Sequence, residues 1–270
     1  MENVPSALTK VVTISTDFFN KRKKPKIVIN CGKPESGKTY VTTQILKDAI
    51  DSNLYDEIYV FTATLEEDEY SFIPEYGKRA KENLTLRDLQ RLKEYYKKNN
   101  KRWCLVLEDQ GRSIPWNSNI YLKFLCGFRH YGGDVIVNVQ YPTLIPPTFW
   151  SVCRHMLIFQ QHMPKGIKHL WENGGSTLID KAKDFQKFCN DNLKERVFLH
   201  INTYEKEQSM LCTLQGKSSD HVSESENENE NENGKEEKEE GKRHQSETET
   251  DRKAKALMKN FMENYNKKKR

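Results

Sequence analysis

Gly32-Lys33-Pro34-Glu35-Ser36-Gly37-Lys38-Thr39 is a glycine, four residues and then Gly-Lys-Thr, the spacing of a phosphate-cradling P-loop. Its flanks supply the context that the pattern requires. Residues 25–31 (PKIVINC) are an apolar run of strand length, and residues 40–50 (YVTTQILKDAI) carry apolar side chains at helical spacing. The octet therefore turns the chain from a buried strand into a helix. On such a corner Gly32 and Gly37 let the backbone curl around phosphate oxygens, while successive amide hydrogens and the helix N-terminus attract the anion. The Lys38 ammonium then reaches the β and γ phosphates, and the Thr39 hydroxyl is placed for Mg²⁺. ATP and Mg²⁺ are the expected ligands. The expected nucleotide-binding set is Gly32, Lys33, Pro34, Glu35, Ser36, Gly37, Lys38, Thr39 and Tyr40.

A second element belongs with the first. Residues 103–107 (WCLVL) form an apolar strand that ends in Glu108-Asp109, as a Walker B strand carries its acids out to its C-terminal edge. One acid there can hold Mg²⁺ and a neighbouring one can polarise the water that attacks the γ phosphate. The sequence does not divide these two roles between Glu108 and Asp109, although Glu108 stands at the metal-side position. Residues 134–140 (DVIVNVQ) form a further strand whose terminal Gln140 precedes Tyr141-Pro142. An amide at that point can hydrogen-bond the γ phosphate or the attacking water.

The rest of the chain fills in an α/β domain. Residues 56–62 and 153–160 are strand-like, 85–96 and 178–190 are helical, and 196–202 is a sixth strand. Residues 119–132 are expected to be one helix stopped by Gly132-Gly133. Residues 161–175 mix Lys, His and Trp with glycines and are expected to be a loop, either touching nucleic acid or lying on the surface with Trp171 tucked inward. His162 and His169 have no Cys or acid set around them to complete a metal site. The basic run at residues 21–26 (KRKKPK) admits two readings, a nucleic-acid or nuclear-localisation patch and a solvated lead-in to the first strand.

Charge is segregated along the 270 residues. The net of +5 conceals eleven Glu against four Lys or Arg in residues 221–250, then eight basic against two acidic residues in 251–270. A basic N-terminal extension (1–25), an ATPase domain (26–215), an acidic linker (216–252) and a basic amphipathic helix (253–270) follow as the expected organisation. The linker alternates Glu with Asn and has almost no apolar side chain, so it is expected to be disordered. In the last segment Ala254, Leu257, Met258, Phe261 and Tyr265 form a stripe at helical spacing. Six cysteines without a close pair, several of them within apolar runs, point to a reducing compartment. No apolar run approaches the ~20 residues of a membrane span, and the opening MENVP lacks the layout of a secretory signal. A soluble intracellular protein without a membrane partner is expected.

The order of these motifs over residues 26–160 resembles the FtsK–HerA superfamily, and within it the DNA-packaging ATPases of large DNA viruses, virophages and Polinton-like elements. The resemblance rests on the octet, Leu107-Glu108-Asp109, Gly127-Phe128-Arg129-His130, the strand ending at Gln140, and Ile145-Pro146-Pro147 running into Arg154. It implies a parallel sheet of order 5-1-4-3-2 flanked by helices, in which an additional strand separates the P-loop strand from the Walker B strand. It also implies a ring of identical subunits that moves double-stranded DNA, with a capsid or portal as partner. The expected location is the cytoplasm or nucleus of a host cell, or the virion. An arginine from one subunit completes its neighbour's site in that family, and Arg129 and Arg154 match the positions to test. Two departures stand out: Glu108 replaces the usual Asp, and Trp150-Ser151-Val152 replaces an Arg-any-Asn step.

Overall fold

The computed structural model describes residues 8–20, 25–66, 68–99 and 101–214. The basic run 21–24, the linker 216–252 and the segment 253–270 lie outside the described residues. The strands are β1 (Val11–Ile14), β2 (Ile27–Cys31), β3 (Glu57–Thr62), β4 (Ala80–Lys81), β5 (Trp103–Glu108), β6 (Gly133–Val139), β7 (His155–Ile158), β8 (Phe198–Asn202) and β9 (Met210–Leu214). The helices are α1 (Asp17–Asn20), α2 (Lys38–Asp51), α3 (Tyr76–Arg79), α4 (Leu86–Asn99), α5 (Asn119–Cys126), α6 (Pro147–Trp150), α7 (Pro164–Asn173) and α8 (Ala182–Asn192).

The nine strands among the described residues join one sheet in the order β1-β9-β8-β7-β2-β6-β5-β3-β4. Its central run, β7-β2-β6-β5-β3, is parallel and is the expected 5-1-4-3-2 order. β8 and β9 then extend the sheet in antiparallel fashion, and β1 pairs with β9 in parallel. The sheet therefore begins before residue 26. The segment expected to be a basic extension supplies an edge strand, inconspicuous in sequence because three of its four side chains are exposed.

Strands β2, β5, β6 and β7 are buried throughout, and the central strands divide by alternate residues between two cores. Ile27 and Ile29, Leu105 and Leu107, and Val135 and Val137 pack with Leu89, Leu125, Leu170 and Phe185 of α4, α5, α7 and α8. Val28, Cys104, Val106 and Ile136 pack with Val41, Ile45 and Leu46 of α2. By the same alternation Asn30, Asn138 and Glu108 point to the α2 side. There they are the polar ends of otherwise apolar strands.

Two expectations are corrected. The helix expected over 119–132 ends at Cys126, because Gly127 is a poor helix former, and continues only as a 3-10 turn, Phe128–Tyr131. The loop expected over 161–175 contains α7, which starts at Pro164, a residue whose fixed φ suits the first turn. Trp171 does turn inward, donating its indole N–H to Ile179 O at 2.8 Å. Lys26, counted in a surface basic run, is only 4% exposed.

Candidate nucleotide site

The site lies where the parallel strands end. β2 delivers the loop from Gly32, β5 delivers Glu108 and Asp109, and β6 delivers Gln140, all at the carboxyl edge of the sheet, the usual ligand edge of such folds. The loop is held to both neighbouring strands, with Gly32 N donating to Val139 O at 3.2 Å and Lys33 N to Gln160 O at 2.9 Å. It is tight enough to need its glycines. A Cβ on Gly32 would lie 2.4 Å from Ser36 Oγ and 2.6 Å from Phe159 Cβ, and Gly37 has φ 98°, the left-handed region that side chains disfavour.

Within this loop the Lys38 side chain curls back. Its ammonium donates to Gly32 O at 3.0 Å and to Lys33 O at 2.9 Å. None of the ion pairs among the described residues involves it. Burial lowers its pKa, and the charges of Asp109 and Glu108 oppose that shift. Ser36 Oγ is buried with no hydrogen-bond partner. A buried cation resting on carbonyls, an unpartnered hydroxyl and a loop that a methyl group would obstruct together fit an anionic ligand such as a polyphosphate.

Thr39, in the first turn of α2, donates to Glu108 Oε1 at 3.1 Å. Glu108 is 6% exposed, and its other oxygen, Oε2, accepts from both the Tyr70 hydroxyl and Asn138 Nδ2. Burial raises the Glu108 pKa, and these three donors pull it back toward the carboxylate form. Burial, followed by the charge on Glu108, drives the Tyr70 phenol well above its usual value, so it stays a donor. Asn138 is tied in turn to Asn30 Nδ2 at 2.7 Å and to Thr42 Oγ1 at 3.0 Å, which links β6 to β2 and α2. A hydroxyl beside one carboxylate is an all-oxygen set suited to Mg²⁺, which takes one or two carboxylates and leaves its remaining positions to water and phosphate.

Asp109 is arranged differently. It is exposed, its backbone sits at φ 49°, and its Oδ2 accepts from Gln140 Nε2 at 2.8 Å. The two expected polar ends, Asp109 and Gln140, are thus brought together as a pair facing solvent. Beside them lies a cleft of about 330 Å³ lined by Arg112, Tyr141 and Leu144, with the Arg112 guanidinium 5.5 Å from the Tyr141 ring centre.

Arg154 does not join this cluster. Arg154 precedes β7 at the opposite edge of the sheet, where it binds Glu205 at 3.2 Å and lies over the Tyr204 ring. Arg129 sits in the turn before β6, and its side chain is outside the described residues. His162 is exposed and His169 packs edge-on against Trp150. Tyr70, Asn138, Asn30 and Thr42 were not anticipated. Asn30 and Asn138 could have been found, since each interrupts an apolar strand with a polar group that must be satisfied once buried; Tyr70 gives no comparable signal.

No family model matches the sequence, and no curated protein matches it. Solved structures do. The fold is similar to that of the genome packaging NTPase B204 from Sulfolobus turreted icosahedral virus 2 in complex with sulfate, with TM-score 0.57 and 15% identity, covering 72% of this chain and 98% of that one. The same protein in complex with ATP-gammaS gives TM-score 0.53 and 16% identity over 69% and 96%. B204, the DNA-packaging ATPase from Sulfolobus turreted icosahedral virus, gives 0.52 and 16% over 72% and 100%. At such identities the likeness is one of fold: the chain has the fold of a viral P-loop packaging NTPase, the class to which the sequence resemblance points.

Proposed function

We propose that this chain is a Mg²⁺-dependent P-loop ATPase of the FtsK–HerA kind that moves double-stranded DNA, packaging a viral or virus-like genome. The observation that carries the ATPase reading is the Thr39–Glu108 contact at 3.1 Å, which joins the phosphate loop to the acidic strand end. In this reading Lys38 leaves its carbonyl partners for the β and γ phosphates, and the amides of residues 32–39 hold the remaining oxygens. Thr39 and Glu108 hold Mg²⁺, which when bound neutralises charge on the phosphate oxygens.

The two acids separate by surroundings. Glu108, buried and gripped by three donors, is fixed in place, as a metal-side group must be. Asp109, exposed and oriented by Gln140, is free to accept a proton from water at its second oxygen while the Gln140 amide steers that water. Attack forms a bond from water oxygen to the γ phosphorus and breaks the bond to the bridging oxygen, giving ADP and phosphate. Arg129 and Arg154 enter a site only from a neighbouring subunit, because Arg154, and the turn that carries Arg129, precede the strands whose opposite ends hold the phosphate loop. A ring, with a capsid or portal as its dock, is the assembly that this arrangement and the family likeness support.

The test is ATP turnover with and without duplex DNA, alongside mass measurement with nucleotide and Lys38→Ala as control. DNA-stimulated turnover by an oligomer, lost in Lys38→Ala, is expected. Turnover indifferent to DNA from a persistent monomer would overturn the motor, and strand separation on a forked duplex would replace it with a helicase.

A further inference from the structure

The Glu108 carboxylate is held asymmetrically. Oε1 has one donor, Thr39, on the phosphate-loop side, whereas Oε2 has two, Asn138 Nδ2 from β6 and the Tyr70 hydroxyl from the turn Asp68–Tyr70 that follows β3. Two donors on one oxygen fix the plane of the group, so that Oε1 is the oxygen left to face Thr39. Tyr70 is 2% exposed and packs in the α2-side core with Ile73, which holds its ring where the hydroxyl must point. Thirty-eight residues separate Tyr70 from Glu108, and nothing in the sequence marks the tyrosine as part of the site.

We infer that Tyr70 is a positioning residue: together with Asn138 it orients Glu108 so that Oε1 and the Thr39 hydroxyl converge on one divalent cation. The inference rests on the assignment of Glu108 to the metal side. A free carboxylate can rotate about its last bond, and partners that orient a ligand from behind commonly change metal affinity or activity by about 10–100-fold when removed. Tyr70→Phe deletes only the hydroxyl and keeps the packed ring.

The experiment uses Mn²⁺ as probe, titrated by electron paramagnetic resonance into the full chain with a non-hydrolysable ATP analogue. In Tyr70→Phe, Mn²⁺ affinity should fall by about 10–100-fold, while analogue affinity in excess chelator stays at the wild-type value. ATP turnover should need correspondingly more Mg²⁺, with KM for ATP unchanged once Mg²⁺ saturates. The same substitution in a Glu108→Gln background separates position from packing, since there the hydroxyl has no carboxylate to orient and Tyr70→Phe should add no further loss. Wild-type Mn²⁺ affinity in Tyr70→Phe, or an equal loss in the Glu108→Gln background, would overturn the inference. The Mn²⁺ readout requires no turnover, so an inactive wild-type chain that still binds Mn²⁺ and analogue would count against the ATPase reading and leave Tyr70 standing.

Discussion

Lys26 immediately precedes β2 and Lys38 opens α2 after the loop that follows it, and both are buried, yet they are accommodated in opposite ways. Lys26 has its counter-charge built in. Its ammonium lies 3.8 Å from Asp134 Oδ2 and donates to Phe19 O, its own amide donates to Asp134 Oδ1 at 2.9 Å, and the Tyr55 hydroxyl donates to Oδ2 as well. Burial lowers the lysine pKa and raises that of Asp134, and each opposes the other's shift. Among the described residues, the hydrogen-bond partners of the Lys38 ammonium are two loop carbonyls. A buried cation left with dipoles alone is an unfinished ion pair that an anionic ligand completes, whereas a buried cation with a matched carboxylate is closed to ligands.

That contrast can be tested from both ends. The largest effect follows from the role proposed for Asp109: Asp109→Asn should lower turnover on the order of 10²–10⁴-fold with nucleotide affinity and stability retained. An equal loss of nucleotide affinity in a fluorescent-analogue titration would show that Asp109, and not Glu108 alone, serves the metal. At the other end, Lys26→Met strands a buried Asp134 and should cost about 3–5 kcal/mol in urea unfolding without altering nucleotide binding. Lys38→Ala should do the converse, reducing turnover on the order of 10²–10³-fold and leaving the unfolding midpoint where it was or higher. Should Lys38→Ala unfold the chain and Lys26→Met spare it, the two roles would be reversed.

The smallest expected effect concerns acid stability at the Lys26 end. Phe19, whose carbonyl takes the Lys26 ammonium, lies edge-on to His155 and His200, and the two imidazoles stack with Nδ1 of His155 3.0 Å from Nε2 of His200. Burial lowers the His200 pKa from 6.5 to about 4. A histidine depressed in the folded state stays neutral there while the unfolded chain takes up a proton below about pH 6.5. Stability is therefore lost as pH falls from 6.5 to 4, by on the order of 3 kcal/mol. His200→Phe should flatten that part of the curve in pH-dependent urea unfolding, and an unchanged slope would place the acid sensitivity elsewhere.

Much of the site is legible along the chain because its parts are local. The octet, Glu108-Asp109 and Gln140 each sit at the end of an apolar strand, and a parallel sheet carries such ends to one edge. Other parts are not local. Tyr70 reaches Glu108 only because the chain after β3 folds over the α2 side of β5, a path that no periodicity records. β1 and β9 pair across roughly two hundred residues, as Val11 with Leu211, and edge strands with exposed side chains leave little pattern to read. The helix break at Gly127 and the start at Pro164 were written in single residues whose effect depended on what surrounded them.

The sequence by itself determined that a phosphate loop, two acids and an amide would gather at one sheet edge, since spacing and hydrophobic alternation are properties of neighbours in the chain. Only the tertiary structure decided what each of those groups is free to do. Glu108 is held from behind by Tyr70 and Asn138, Asp109 is exposed beside Gln140, and Lys38 rests on carbonyls while Lys26 has a carboxylate. Those differences come from burial and from contacts between residues far apart in sequence, and charge behaves according to its surroundings.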